Sequence, residues 1–181
     1  MTGSWVWPVV AAMAARGTPF HGVLYAGLMI CPDGPKVIEF NVRFGDPETQ
    51  AILPRLRSDL LGLLEAATRP GGLAAVAAGG LEWDPRPAVT VVLASAGYPA
   101  SAHSGDVISG LEAAGDGIAV THAGTARRAD GAIVTAGGRV LSVTALGDDI
   151  AAAREAAYAA AREIAFTGRQ LRSDIALRVH A

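Results

Sequence analysis

Apolar and polar positions alternate most sharply over Lys36 to Phe44 (KVIEFNVRF), with Ile38, Phe40, Val42 and Phe44 on one side and Glu39, Asn41 and Arg43 on the other. A period of two predicts a β-strand whose apolar face belongs to a core. Gly22 to Cys31 (GVLYAGLMIC) is also β-favouring, and the Pro32-Asp33-Gly34-Pro35 turn between the two runs predicts a β-hairpin. Ahead of it, Pro8 to Arg16, stopped by Gly17, predicts a helix that opens on proline, where the missing N–H costs no hydrogen bond. Behind it, Asp46-Pro47-Glu48-Thr49 predicts a short helix ending near Pro54, with Asp46 as N-cap and Pro47 as first helical residue. Ser58 or Asp59 then caps a helix over Asp59 to Ala67, with Leu60, Leu61, Leu63 and Leu64 as its buried stripe.

The pattern changes across the glycine and proline breaks between Pro70 and Pro87. Beyond them, Val89 to Ser95, Gly117 to His122, Ala132 to Thr135 and Val140 to Thr144 predict strands, the last two joined as a hairpin at Gly137-Gly138. The final helix opens at Asp148-Asp149, carries Ile150, Ala153, Ala157, Ala161 and Ile164 on one stripe, and ends at Gly168. The fold class expected is α+β. Residues 1–7 form an atypical or non-native leader, 8–69 a β-hairpin with helices, and 70–86 a linker region. Residues 87–181 form a small domain with a mostly antiparallel sheet and a long carboxy-terminal helix.

Composition narrows the function classes. With 51% apolar and 18% charged residues the chain has enough to fill a core. A net charge of −2, with no basic runs, offers nothing to a nucleic acid. The uncharged stretches Met1 to Ala15 and Pro87 to Gly105 are too short or too broken to span a membrane. The lone Cys31 excludes an internal disulfide, fits a reducing, cytoplasmic compartment, and reads as a buried small hydrophobe.

Candidate chemistry gathers on the polar face of Lys36 to Phe44. Side chains there recur at roughly 7 Å, because a strand rises about 3.3 Å per residue. Glu39 and Asn41 offer hard oxygen ligands with one negative charge, which suits Mg²⁺ sharing its remaining positions with phosphates and water. Arg43 beside that ion would bind or neutralise a phosphoryl oxygen. The same spacing also describes the solvated face of an antiparallel strand. What favours chemistry is Gly45-Asp46-Pro47-Glu48 directly after, where the strand leads into a helix start carrying two more carboxylates. Asp46 and Glu48 read equally as helix caps. Lys36 reads as solvated, and His122 and Thr125 as structural.

These residues carry a family resemblance. VIEFNVRFGDPETQ (Val37 to Gln50), with LYAGLM before it, resembles phosphoribosylamine-glycine ligase, also called GAR synthetase. So do VVLASAGYP (Val91 to Pro99), HAGT (His122 to Thr125), GGRVLSVTALG (Gly137 to Gly147) and the last helix through FTG (Phe166 to Gly168). The resemblance implies the carboxy-terminal part of an ATP-grasp domain over 8–69, followed by the small carboxy-terminal domain of that family. It implies that ATP phosphorylates glycine and that 5-phosphoribosylamine displaces phosphate, giving glycinamide ribonucleotide in purine synthesis. Glu39 and Asn41 match the family's ligands to Mg²⁺ or Mn²⁺ and so to the nucleotide, Arg43 is expected to face the transferring phosphoryl group, and Asp46 and Glu48 are expected to contact the amine-bearing substrates.

Departures from the pattern set further expectations. No glycine-rich phosphate loop is present, and Lys36 is the single lysine. The chain is therefore expected to be inactive alone and to need the missing amino-terminal domains in cis or in trans. One alternative is a stand-alone, non-catalytic module that pairs with a partner chain. Another is a different ATP-grasp ligase such as a biotin carboxylase-like protein, disfavoured because Arg43 leads into FGDPETQ.

Overall fold

The structure, a computed structural model, describes residues 3–177. It divides into two compact units, one of residues 3–48 with 57–82, the other of residues 49–56 with 83–177.

In the first unit, α1 (Gly3–Ala15) opens before Pro8 rather than on it. Nothing in Trp5-Val6-Trp7 breaks a helix, so the turns extend ahead of the proline at the cost of one interior hydrogen bond. Gly17 then ends the helix at φ +77°, a conformation that suits glycine. The expected hairpin is present as β1 (Tyr25–Cys31) and β2 (Gly34–Asn41), closed over Pro32-Asp33 and paired antiparallel from Cys31↔Gly34 to Tyr25↔Asn41. A bulge leaves Ile38 without a cross-strand partner, since Gly27 pairs with Glu39 and Leu28 with Val37.

The apolar face of this hairpin is not core, contrary to the expectation from its alternation: Ile30, Ile38 and Val42 are 62–77% exposed, and Phe40 and Phe44 are also exposed. No element among the described residues covers it. Cys31, at the turn, is half-buried rather than buried. In α3 (Leu60–Ala67) Asp59 is the cap, its carboxylate accepting from the Leu61 and Gly62 amides at 3.0 and 3.1 Å. The leucine stripe is corrected: Leu61 and Leu64 are exposed and Leu60 and Leu63 half-buried, because four leucines in five positions exceed one helical face. The first unit also holds α4 (Gly72–Val76).

The second unit holds the core. A three-stranded antiparallel sheet places β7 (Arg139–Leu146) between β3 (Ala88–Ala94) and β4 (Ile118–His122). The register sets Val89 opposite Ala145, Val91 opposite Val143 and Leu93 opposite Leu141, so these six share one face. Against them packs α5 (Ile150–Glu163), whose Ala153, Ala157 and Ala161 are fully buried with Ile164 just past its end. Small residues on that stripe let helix and sheet approach closely. Thr90 and Thr144 pair on the opposite face, hydroxyl to hydroxyl at 2.8 Å.

Two connections differ from expectation. Thr135 does not turn into β7; β6 (Ile133–Thr135) pairs instead with β5 (Thr125–Arg127), too short to announce itself in sequence. Gly124 and Gly137 explain the crossing, since a methyl on Gly124 would sit 2.7 Å from the Arg139 carbonyl oxygen and 2.8 Å from the Gly137 Cα. The helix also stops at Glu163 rather than Gly168, because Ala165 leaves to exchange two backbone hydrogen bonds with Ser109, at 2.9 and 3.0 Å. At its other end Asp149 accepts from the Ala152 amide at 2.7 Å. Asp149→Ala is expected to cost about 1 kcal/mol, read as a lowered urea midpoint with an unchanged m-value. Among the described residues no helix is long and apolar enough to cross a membrane.

Candidate functional site

The site begins at the open end of the first unit's hairpin. Tyr25 pairs with Asn41 and Gly27 with Glu39, so Tyr25, Glu39 and Asn41 project from one face of the ribbon. Gly27 leaves a notch between them: a methyl built there would lie 3.3 Å from Glu39 Cγ and 3.8 Å from Tyr25 Cε1. Glu39 and Asn41 are joined directly, the Asn41 amide donating to Glu39 Oε1 at 2.9 Å. That contact brings a carboxylate and a carboxamide to one point, two residues apart on a strand.

Arg43 does not continue the row. β2 ends at Asn41, residues 42–43 bend, and the Arg43 guanidinium donates to the Phe44 carbonyl at 3.0 Å. The polar face expected to hold three groups at even steps therefore holds two from β2. Beyond the bend the Asp46–Pro47 peptide is cis, and α2 begins at Glu48 (Glu48–Ile52). The helix thus opens one residue after Pro47, which was expected as its first helical residue.

Glu48 folds back over the bend: its side chain lies over Gly45, where a methyl would overlap Glu48 Oε2 and touch Cδ at 3.0 Å. Burial, then the negative charges of Glu48 and Glu39, then the Glu48 hydrogen bond raise the Tyr25 phenol above the usual tyrosine range. Tyr25 is the residue that sequence reasoning missed. Its only signal was that Tyr25 and Gly27 share a face of their own strand, and which partner residues share it depends on register.

As a donor set, Glu39 and Asn41 fit a divalent cation. They supply two convergent oxygen-bearing groups with one negative charge, leaving most of a six-coordinate shell for phosphate oxygens and water. No group of three His, Cys, Asp or Glu side chains able to hold a metal occurs among the described residues. Elsewhere, Lys36 pairs with Asp33 at 2.8 Å in solvent, and His122 Nδ1 meets Thr125 Oγ1 at 3.0 Å.

Comparison with known proteins covers nearly the whole chain. Residues 88–178 match the family described as phosphoribosylglycinamide synthetase, C domain, and residues 2–49 match phosphoribosylglycinamide synthetase, ATP-grasp (A) domain. A phosphoribosylamine–glycine ligase from Rhodopirellula baltica is 54% identical over 170 residues, which are 93% of this chain and 38% of that protein. The crystal structure of a phosphoribosylamine–glycine ligase from Thermotoga maritima superposes with a TM-score of 0.69 at 35% identity, over 91% of this chain and 39% of that one. The biotin carboxylase domain of Hydrogenobacter thermophilus 2-oxoglutarate carboxylase, crystallised with MgADP, gives a TM-score of 0.54 at 15% identity, a likeness of fold. The chain thus spans less than two-fifths of the length of these first two relatives.

Proposed function

Since the chain belongs to the phosphoribosylglycinamide synthetase family, we propose that it works in the ligation of glycine to 5-phosphoribosylamine, with ATP consumed and glycinamide ribonucleotide, ADP and phosphate released. The observation that carries this reading is the Glu39–Asn41 pair on β2. In it, Glu39 and Asn41 hold Mg²⁺ or Mn²⁺ against the nucleotide phosphates. Such a cation would neutralise charge on the phosphoryl group passing from ATP to the glycine carboxylate. Arg43, released from the Phe44 carbonyl, faces that group as a guanidinium donor, and Asp46 and Glu48 bind the amine-bearing substrates.

Residues 8–69 act as the closing part of an ATP-grasp domain and 87–181 as the small carboxy-terminal domain, with 70–86 joining them. The 181 residues contain one lysine and no glycine-rich phosphate loop. Turnover therefore needs further cationic donors to the nucleotide, from a segment in cis or a chain in trans. The exposed apolar residues of the hairpin, Ile30, Ile38 and Val42 among them, supply the surface that such a segment would cover. The cytoplasm, where purine precursors are made, is its proposed location.

The test mixes the chain with ATP, Mg²⁺, glycine and 5-phosphoribosylamine and follows glycinamide ribonucleotide by mass spectrometry. No product is expected from the chain alone, and product is expected once the amino-terminal portion of the Rhodopirellula baltica ligase is supplied. Product from the chain alone would overturn its dependence on a partner segment. An assembled enzyme that consumes ATP with another acid but not with glycine would overturn the assigned reaction.

A further inference from the structure

Apart from the hairpin's metal face, the first unit holds a cleft of about 570 Å³, lined by α1, by the segment leading into β1 and by the turn joining α3 to α4. We infer that this cleft binds a flat aromatic anion, its rings lying against Trp7 and Phe20 and its charged group meeting Arg69 and His21. The inference does not depend on Glu39 and Asn41, neither of which lines the cleft.

The lining sets the class of ligand. The volume falls within the roughly 300–1,000 Å³ of clefts that hold small molecules. Its wall is largely apolar, with Leu24 and Leu73 beside the two aromatic rings. Trp7 is 68% exposed, so its indole is presented to the cleft instead of being spent on a core, whereas Phe20 is half-buried and fixed. Rings of this kind prefer offset or edge-to-face contact with another ring, which selects a planar aromatic body. Charge then selects the sign. Among the described residues that line the cleft none is acidic, and its two side chains with a basic group are Arg69 and His21. Arg69 pairs with Glu65 one helical turn back, a residue that does not line the cleft. A guanidinium carries five N–H donors in a planar fork, so Arg69 can serve a second anion beside Glu65. His21 adds a ring N–H in either tautomer.

The experiment titrates two fluorescent probes into the 181-residue chain: 8-anilinonaphthalene-1-sulfonate, and 1-anilinonaphthalene, which has the same rings without the sulfonate. Arg69→Gln is expected to weaken the sulfonate by about 2- to 5-fold and to leave the neutral probe unchanged, the range for an exposed charge. Glu65→Gln removes the competing carboxylate and is expected to tighten the sulfonate by a similar factor. Trp7→Ala is expected to weaken both probes by about 2- to 10-fold, the worth of an aromatic pair. Both probes also meet the exposed hairpin, so the series is repeated with Ile30→Ser, which lowers that background and is expected to leave the three effects in place. Probes indifferent to Trp7→Ala, an Arg69→Gln effect equal on the two probes, or a Glu65→Gln chain that binds the sulfonate no better overturns the inference. So does loss of the Arg69-dependent binding when the amino-terminal portion of the Rhodopirellula baltica ligase is added, since the cleft would then be a seat for that segment. Glu65 and Arg69 are both exposed, so their variants are expected to melt within a few degrees of the parent, and they decide the outcome if Trp7→Ala fails to fold.

Discussion

Glu39→Gln is expected to lower kcat/KM of the assembled ligase by about 10²- to 10³-fold, the range seen when one preorganised charge-stabilising group is removed. The substitution keeps length, shape and one oxygen, and removes the negative charge. Among Glu39 and Asn41 that charge belongs to Glu39 alone, so under the proposed reading its loss is expected to fall on phosphoryl transfer. Asn41 would then donate to a neutral amide oxygen. Glu39 is exposed, which predicts little effect on the fold, within about 0.5 kcal/mol. Steady-state rates beside a thermal melt check both halves. A variant with full activity at saturating Mg²⁺ would show that Glu39 is not a ligand, and one that is inactive because it unfolds would show that the residue serves the hairpin instead.

Gly110→Ala is expected to destabilise the second unit by at least about 3 kcal/mol, as a lowered melting temperature and urea midpoint. Two costs coincide at this position. Its φ of +80° lies in the left-handed region, where a side chain costs about 1–2 kcal/mol. The added methyl would overlap the Glu163 carbonyl oxygen and lie 2.8 Å from the carbonyl carbon, against the backbone that closes α5. The carbonyl cannot move away freely, because Ala165, two residues on, is bonded to Ser109, the residue before Gly110. Gly117→Ala is the control: its φ of +79° is equally left-handed but nothing lies within 4 Å of the methyl, so only the conformational cost is expected. Equal losses at the two glycines would show that the approach of this loop to the helix end is soft.

Legibility divided along a physical line. α5 was readable almost to the residue at its start, because Asp149 is a cap and its alanines recur every fourth position, both local properties of a helix. The hairpin was readable from alternation and turn residues for the same reason. The pairing of β6 with β5 was not, since both are three-residue strands too short to show alternation, and neither was the exit of the chain at Ala165 toward Ser109, a contact between residues 56 apart in sequence. Pro8 and the leucines of α3 misled because a breaker or an apolar run states a preference that its neighbours can override.

The candidate site shows the same division. Glu39 and Asn41 were found from sequence because side chains two apart on a strand must share a face, whatever the strand packs against. The motifs around them were distinctive enough to resemble one ligase family, to which the comparisons assign the chain. Arg43 was placed in the same row on the assumption that the strand runs on, and the bend after Asn41 removed it.

What the sequence by itself determined is therefore the family, the type of the longer elements, and the two side chains that a single strand aligns. What only tertiary structure decided is which strand pairs with which, that the apolar face of the hairpin is exposed, that Tyr25 comes to the same face as Glu39, and that Glu48 folds back over Gly45. Periodicity is a property of one segment and survives in one dimension. Register and the return of a chain after a bend depend on two segments at once, and no residue in either states them alone.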